Sequence, residues 1–332
     1  MPSSIDYLLP ATDSSPRCAP FNRSLGVDPG GTSIAADLVL LVETPLPWPK
    51  PAVGHPIPAG LIAGLAAGGE QGKRSRVLST VPGAITGVKD SSVIGVVAFR
   101  RSARSTLVAE FRAEDETELA ALGERLGAEL INPSIDTTSY ETMTDQVIVI
   151  CTQGSHDVCC GSEGARLAEE LENNLIPGLN VYRVSHTGGH RFAPTAMTLP
   201  DGRMWANLNR ASVEAILARD ALSADQIGNC RGWWGVPTGP AQLAERAVFA
   251  KLGWAVDSAA RQVNVLDNQS PDGDSTVEVL VDDKPWTVMV SPVREVPTIA
   301  CRQEGGLPAK TATEYTVTSL KPPTSNTHPG GM

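Results

Sequence analysis

The sequence predicts an α/β fold, and three observations predict it. Gln146 opens the apolar run Val147-Ile148-Val149-Ile150, the pattern of a strand buried on both faces. A helical pattern from Ser162 to about Asn173 and a second strand at Val181-Tyr182-Arg183-Val184 follow with short links, which makes a βαβ unit with parallel strands. Pro200-Asp201-Gly202 then separates Ala196–Leu199 from Met204–Leu208, a turn signal between two hairpin strands.

Taken in order, residues 1–16 are rich in Pro, Ser and Thr, carry no apolar repeat and read as a flexible tail. Strands are expected at Ala36–Val42, Arg76–Val81, Val93–Phe99 and Leu107–Phe111. A helix is expected at about Asp115–Leu126, where Asp115 and Glu118 give a start signal. These elements make 17–135 an α+β N-terminal domain, and the polar stretch Asn132–Thr144 a connection. In the βαβ unit, Ser162 is expected to cap the helix, with Glu163 favourable at its positive end. Pro177-Gly178 turns the chain out of it, and a later helix runs from near Ser212 to about Ala221. The order β-α-β-β-β-α over 145–225 is close to a thioredoxin-like core in which the loop around His186–Pro194 replaces a helix. Pro240 suits the first turn of a helix ending at Gly253. Arg261–Leu266, Thr276–Val281 and Trp286–Val290 read as strands, so 226–320 is a helix plus a β-rich extension. Residues 321–332 form a second flexible tail.

The chain has 332 residues, and 41% are hydrophobic, enough for packed cores and too many for wholesale disorder. A net charge of −10 without a long Lys/Arg block repels phosphate backbones, so no nucleic-acid partner is expected. The N-terminus has no basic or apolar signal region, and the best apolar run, Leu38–Val42, is only strand length. A cytoplasmic protein with no membrane partner is expected. Thiols stay reduced there, so six cysteines point to metal or redox chemistry rather than to a disulfide framework.

Cys151 closes the first strand of the βαβ unit and His186 follows the second. Parallel neighbours bring those carboxyl ends to one side of the sheet, the edge where open α/β sheets bind ligands. Cys160 lies across the loop that precedes the helix, and His190 follows His186 by four residues. Gly188-Gly189 between the two histidines favours a tight loop and lets backbone N–H groups approach a ligand. Taken singly, each piece has an ordinary reading: a hydrogen-bonded histidine, a buried thiol, an anion nest at the glycines. Jointly the pattern is harder to dismiss, because three of five histidines and three of six cysteines fall within Cys151–His190. Cys159 stands beside Cys160, but adjacent side chains diverge, so one of the two is expected to face the site. Cys18, Cys230 and Cys301 are scattered and read as buried or partly buried thiols. Trp233-Trp234 admits two readings, a partner patch and, more commonly for such a pair, core.

The segments Ile150-Cys151 and Cys160-Gly161, with His186-Thr187-Gly188-Gly189-His190-Arg191-Phe192-Ala193, resemble the sucrase/ferredoxin-like family of thioredoxin-like ferredoxins. Weaker matches lie at Gly31-Thr32-Ser33, Glu43–Trp48, Arg231-Gly232-Trp233 and Pro240–Glu245, so the resemblance spans most of 18–253. It implies a thioredoxin-like ferredoxin domain over 145–225 and a [2Fe–2S] cluster with two Cys and two His ligands. By motif position these are Cys151, Cys160, His186 and His190, with Gly188 and Gly189 beside the cluster and Cys159 at a non-ligand position. Two departures are His156, where the family usually has a basic residue before Asp157, and Leu46, where it often has Gly. His156 is a spare imidazole close to the site. No pair of carboxylates suits glycoside chemistry, so sucrase activity is not expected.

The leading functional expectation is one-electron transfer, with an electron-donating reductase and an unknown acceptor as partners. Neutral imidazoles in place of thiolates should raise the potential above that of four-cysteine ferredoxins. The free ring nitrogens of His186 and His190 should couple the electron to a proton. This describes an electron-transfer protein more than a stand-alone enzyme. Two alternatives stay open: a structural zinc site of two cysteines and two histidines in a binding or scaffold protein, and a thiol oxidoreductase using Cys159 or Cys160.

Overall fold

The computed structural model describes residues 5–89, 92–135, 137–268 and 273–323. In chain order its main elements are α1 (Cys18–Ser24), β1 (Leu38–Glu43), α2 (Pro56–Ala67), β2 (Ser75–Thr80), β3 (Ile94–Arg101), β4 (Thr106–Ala113) and α3 (Glu116–Ile131). They continue with β5 (Glu141–Thr142), β6 (Gln146–Cys151), α4 (Ala165–Asn173), β7 (Leu179–Val184), β8 (Ala196–Leu199), β9 (Arg203–Trp205), α5 (Arg210–Ala218) and α6 (Ala224–Asn229). Last come β10 (Cys230–Trp233), α7 (Gly239–Leu252), β11 (Arg261–Asn268), β12 (Ser275–Val281), β13 (Lys284–Thr298) and β14 (Lys310–Lys321).

The fold is α/β. Ten strands form one sheet in the order β10-β9-β8-β6-β7-β2-β1-β3-β4-β5, and β11 to β14 form a second, antiparallel sheet. The βαβ unit is present: β6 and β7 pair in parallel from Gln146↔Leu179 to Cys151↔Val184. β8 and β9 form the expected antiparallel hairpin. The two halves of the large sheet meet where β2 and β7 pair antiparallel through Thr80↔Val184.

Strand alternation sorts the core into layers. Val39, Leu41, Val97, Phe99, Val147 and Val149 point to one face, where α7 (Leu243, Ala244, Val248) and the second sheet (Val277, Val279, Val288, Val290) cover them. Leu38, Leu40, Val96 and Ala98 point to the other face, against Leu61 and Leu65 of α2 and Leu119, Leu122 and Leu126 of α3. Ile148 and Ile150 face that second side too, against Leu167, Ala168 and Leu171 of α4 and Val213 and Ile216 of α5. Burial on both faces explains why β1 and β6 read as unbroken apolar runs.

Some local expectations change. Asp115 caps α3 by accepting from the Thr117 and Glu118 N–H groups, as its position implies. Ser162 does not cap α4. It lies inside a π-helical turn, Cys160–Gly164, that leads into α4, and its hydroxyl donates back to the Val158 carbonyl at 2.8 Å. The connection Asn132–Thr144 contributes the short strand β5, which pairs with β4. Residues 5–16 are laid against the C-terminal segment: the Gly305 N–H donates to the Ser14 carbonyl and the Arg302 N–H to that of Pro16. Lys321 is the last residue of β14 and pairs with Thr287. Residues 324–332 of the expected second tail lie outside the described residues.

Candidate metal centre

The carboxyl ends of β6 and β7 position the first candidate ligands. The Cys151 N–H donates to the Thr195 carbonyl, and its side chain is fully buried. After Val184 the chain is pinned to β2: the Ser185 N–H donates to the Ser79 carbonyl, and the Ser79 N–H donates to Ser185 Oγ at 3.0 Å. His186 follows, its N–H donating to Gln153 Oε1 at 3.0 Å. The Cys160 thiol, at the start of the π-helical turn, reaches back to Cys151. The hydrogen bond from Cys160 holds the Cys151 thiol well below the ordinary thiol range, against burial; His186 and the Thr187 N–H add to it. The Cys160 thiol is pushed up in turn, through that hydrogen bond to Cys151 and through burial.

The histidine loop is a left-handed turn. Gly188 and Gly189 have φ of +79° and +69°, which L side chains rarely adopt. Beneath them lies Arg231, wholly buried, donating to the Gly188 carbonyl at 3.2 Å and to Thr32 Oγ1 at 3.0 Å, and also to the Thr32 carbonyl. Burial pulls this guanidinium down to about 10, against the attraction of Cys151 and Cys160. The His186 and His190 ring centres are 5.8 Å apart. His156 stacks on His186 at 3.7 Å, with 17° between the planes. Burial first, and the neighbouring His186 second, pull His156 down to about 4. Nδ1 of both His156 and His186 is buried without a hydrogen-bond partner.

His190 is oriented differently. Its Nδ1 lies 2.8 Å from Asp157 Oδ2, an imidazole–carboxylate contact of the kind that orients metal-bound histidines and leaves Nε2 for the metal. Asp157 is buried, which alone would raise its pKa. Hydrogen bonds from His190, the Cys159 N–H and the Cys18 thiol outweigh that and hold the carboxyl below the usual range. A cleft of about 380 Å³, lined in part by Lys50, His156, Asp157, His190 and Lys310, opens beside this histidine.

Cys159 turns away from Cys151 and Cys160. Its Sγ lies 3.6 Å from that of Cys18 in α1 and 3.8 Å from that of Cys301, which follows β13. The Cys18 hydrogen bond pulls the Cys159 thiol down to about 6, against burial. Cys18 and Cys301 are residues that spacing arguments did not gather, because they come from segments far apart in the chain; Asp157 lies within the Cys151–Cys160 loop itself, where spacing gave it no role. Cys230 is buried in the core with Trp205 and Phe249, away from this edge, and Trp233 and Trp234 are core residues.

A family model described as Sucrase/ferredoxin-like matches residues 30–231, more than half of the chain. The chain belongs to the sucrase/ferredoxin-like family. A curated relative, altered inheritance of mitochondria protein 32 from Meyerozyma guilliermondii, is 31% identical over 65 residues, covering 18% of this chain and 23% of that protein. The chain therefore matches about a quarter of that relative's length. No solved structure matches the chain. In this member of the sucrase/ferredoxin-like family, the side chains grouped closely enough to hold a metal among the described residues are Cys18, Asp157, Cys159 and Cys301. Among the described residues, no helix is long and apolar enough to cross a membrane.

Proposed function

We propose that the protein is a one-electron carrier whose [2Fe–2S] cluster is held by Cys151, Cys160, His186 and His190. The observation that carries this reading is the pairing of two buried thiols with an imidazole whose Nδ1 is buried and unpartnered, at the shared carboxyl edge of β6 and β7. Thiolates with imidazoles are a donor set that iron–sulfur centres use, so the residues fit the group. When bound, the cluster would supply one-electron redox chemistry, at a potential raised by the neutral ligands.

The chain's own residues do the rest. β6 and the π-helical turn bring the two thiols together, and the bonds from Ser79 and Gln153 fix the backbone on which His186 sits. Asp157 holds the His190 ring, whose side chain is 24% exposed; His186 is likewise half-buried, whereas Cys151 and Cys160 are buried. Electrons would enter or leave past His190 and the cleft beside it. Arg231 places a buried positive charge near the two thiols and supports their deprotonation. A reductase as donor, an acceptor still to be found and a cytoplasmic setting belong to the same proposal.

Anaerobic purification followed by a visible spectrum and iron and sulfide analysis tests it. A brown-red protein with iron and sulfide is expected; a colourless protein binding only zinc would refute the reading. Cys151→Ser and Cys160→Ser should each lose most of the iron and sulfide, whereas Cys159→Ala should keep both. Full iron, sulfide and an unchanged spectrum in either serine variant would overturn that ligand assignment.

A further inference from the structure

The three thiols of Cys18, Cys159 and Cys301 come from an N-terminal helix, the loop before α4 and the segment after β13. They converge with the Asp157 carboxylate so closely that one donor atom from each lies within 4.8 Å of all the others. All three cysteines are free thiols. A disulfide needs its sulfurs about 2.05 Å apart; here the sulfur separations are 3.6 Å and 3.8 Å. A tetrahedral ion with metal–sulfur bonds of about 2.3 Å separates its sulfurs by about 3.8 Å. The observed spacing is therefore that of ligands around a single ion.

We propose that Cys18, Cys159, Cys301 and Asp157 form a second metal site that takes one zinc ion. Three thiolates and one carboxylate are a donor set for zinc, and four protein ligands with no open position mark a structural site. The donors crowd too closely to span two irons, whose ligand pairs stand further apart, so this site is separate from the proposed cluster. Its surroundings suit bound thiolates. The Cys18 N–H donates to Cys301 Sγ at 3.4 Å, and the Cys159 N–H donates to Asp157 Oδ1 at 2.8 Å, fixing the carboxylate. The Arg17 guanidinium reaches the Cys159 sulfur and also pairs with Glu163 at 3.2 Å, placing a positive charge beside a site that would otherwise be negative. Cys18 Sγ lies 3.3 Å from Asp157 Oδ2, which holds His190, so the carboxylate connects the two sites. The zinc would tie both ends of the chain to the loop that carries Cys160.

The test uses the full-length protein purified anaerobically with its iron and sulfide in place, treated with zinc chloride, desalted and analysed for iron, sulfide and zinc per chain and for the zinc X-ray absorption edge. Wild type should retain about one zinc per chain in a sulfur-dominated shell. Cys301→Ser should lower zinc affinity at least tenfold while keeping iron and sulfide. Cys151→Ser should do the reverse, losing iron and keeping zinc, which separates failure of this site from failure of the cluster reading. Should Cys301→Ser not fold, wild type alone decides: zinc should protect Cys18, Cys159 and Cys301 from alkylation, read by peptide mass spectrometry. Zinc content unchanged in a folded Cys301→Ser, equal alkylation with and without zinc, or loss of iron instead of zinc in Cys301→Ser would each overturn the proposal.

Discussion

Replacing Gly189 with Ala measures how tightly the histidine loop is seated. The residue has φ +69°, and a Cβ built there would lie 2.5 Å from Arg231 Nη2 and 2.6 Å from its Cζ. Gly188, with φ +79°, is the control, since its Cβ would meet nothing closer than 3.7 Å. The left-handed backbone costs an alanine about 1–2 kcal/mol at either position. The reduced freedom of the unfolded chain returns about 0.4–1 kcal/mol. Gly188→Ala should therefore destabilise by about 1 kcal/mol. At Gly189 the overlap falls on a guanidinium that three hydrogen bonds hold in place and burial denies room to move. Such overpacking costs about 1–3 kcal/mol more, for a total near 3 kcal/mol. Urea unfolding followed by tryptophan fluorescence reads the difference, with iron content as a second readout because His190 is the next residue. If Gly189→Ala loses no more stability than Gly188→Ala, Arg231 is not a rigid floor and the reasoning fails.

Three further outcomes are expected. Arg203 is wholly buried, contacts Glu245 at 3.0 Å and Asp257 at 2.7 Å, and lies over the Phe249 ring at 3.5 Å. Arg203→Met leaves an excess of buried carboxylates and should cost about 3–5 kcal/mol in denaturant unfolding; a loss under about 1 kcal/mol would contradict it. Asp201, buried with Oδ1 unpartnered, is pushed up to about 6 by burial and then by Asp257. A raised folded-state pKa means its contribution is fully present below its unfolded value and lost as pH rises through about 6. Thermal melts should therefore show Asp201→Asn gaining on wild type between about pH 4 and 6, then keeping a constant lead; a gap independent of pH would exclude this. If the proposed cluster takes up one proton with each electron, protein-film voltammetry should show the potential falling by about 59 mV per pH unit, and a flat profile would rule out that coupling.

The sequence revealed most where one physical cause acts on neighbouring residues. Burial on both faces writes itself into Val147–Ile150, and the spacing of Cys151, Cys160, His186 and His190 marks one sheet edge. Helix α2 escaped notice because Pro56, Pro58, Gly60 and Gly64 read as breakers. In the fold, Pro56 occupies the first turn, and Gly64 lies against α3, where an added Cβ would come within 2.2 Å of the Ala120 carbonyl. Strand β14 is half-exposed along most of its length and shows little apolar signal. In β10 the buried Arg231 occupies a place that hydrophobicity would assign to solvent. The cluster of Cys18, Cys159 and Cys301 could not be read at all, because the first and last of these stand 283 residues apart. Only tertiary packing brings them together.

The layer formed by α7 and the second sheet also bears on the timing of synthesis. It covers one face of the large sheet across both halves, yet β11 to β14 lie beyond Leu252 and extend to Lys321. At about 5–20 residues per second, translating that stretch takes on the order of 3–14 s. Throughout this interval Val39, Val97 and Val149 belong to a nascent chain that has α7 but not yet the whole second sheet to cover them. Cys151, Cys160, His186 and His190 have by then been translated. A metal bound during synthesis would therefore meet a chain whose other face still awaits its last strands.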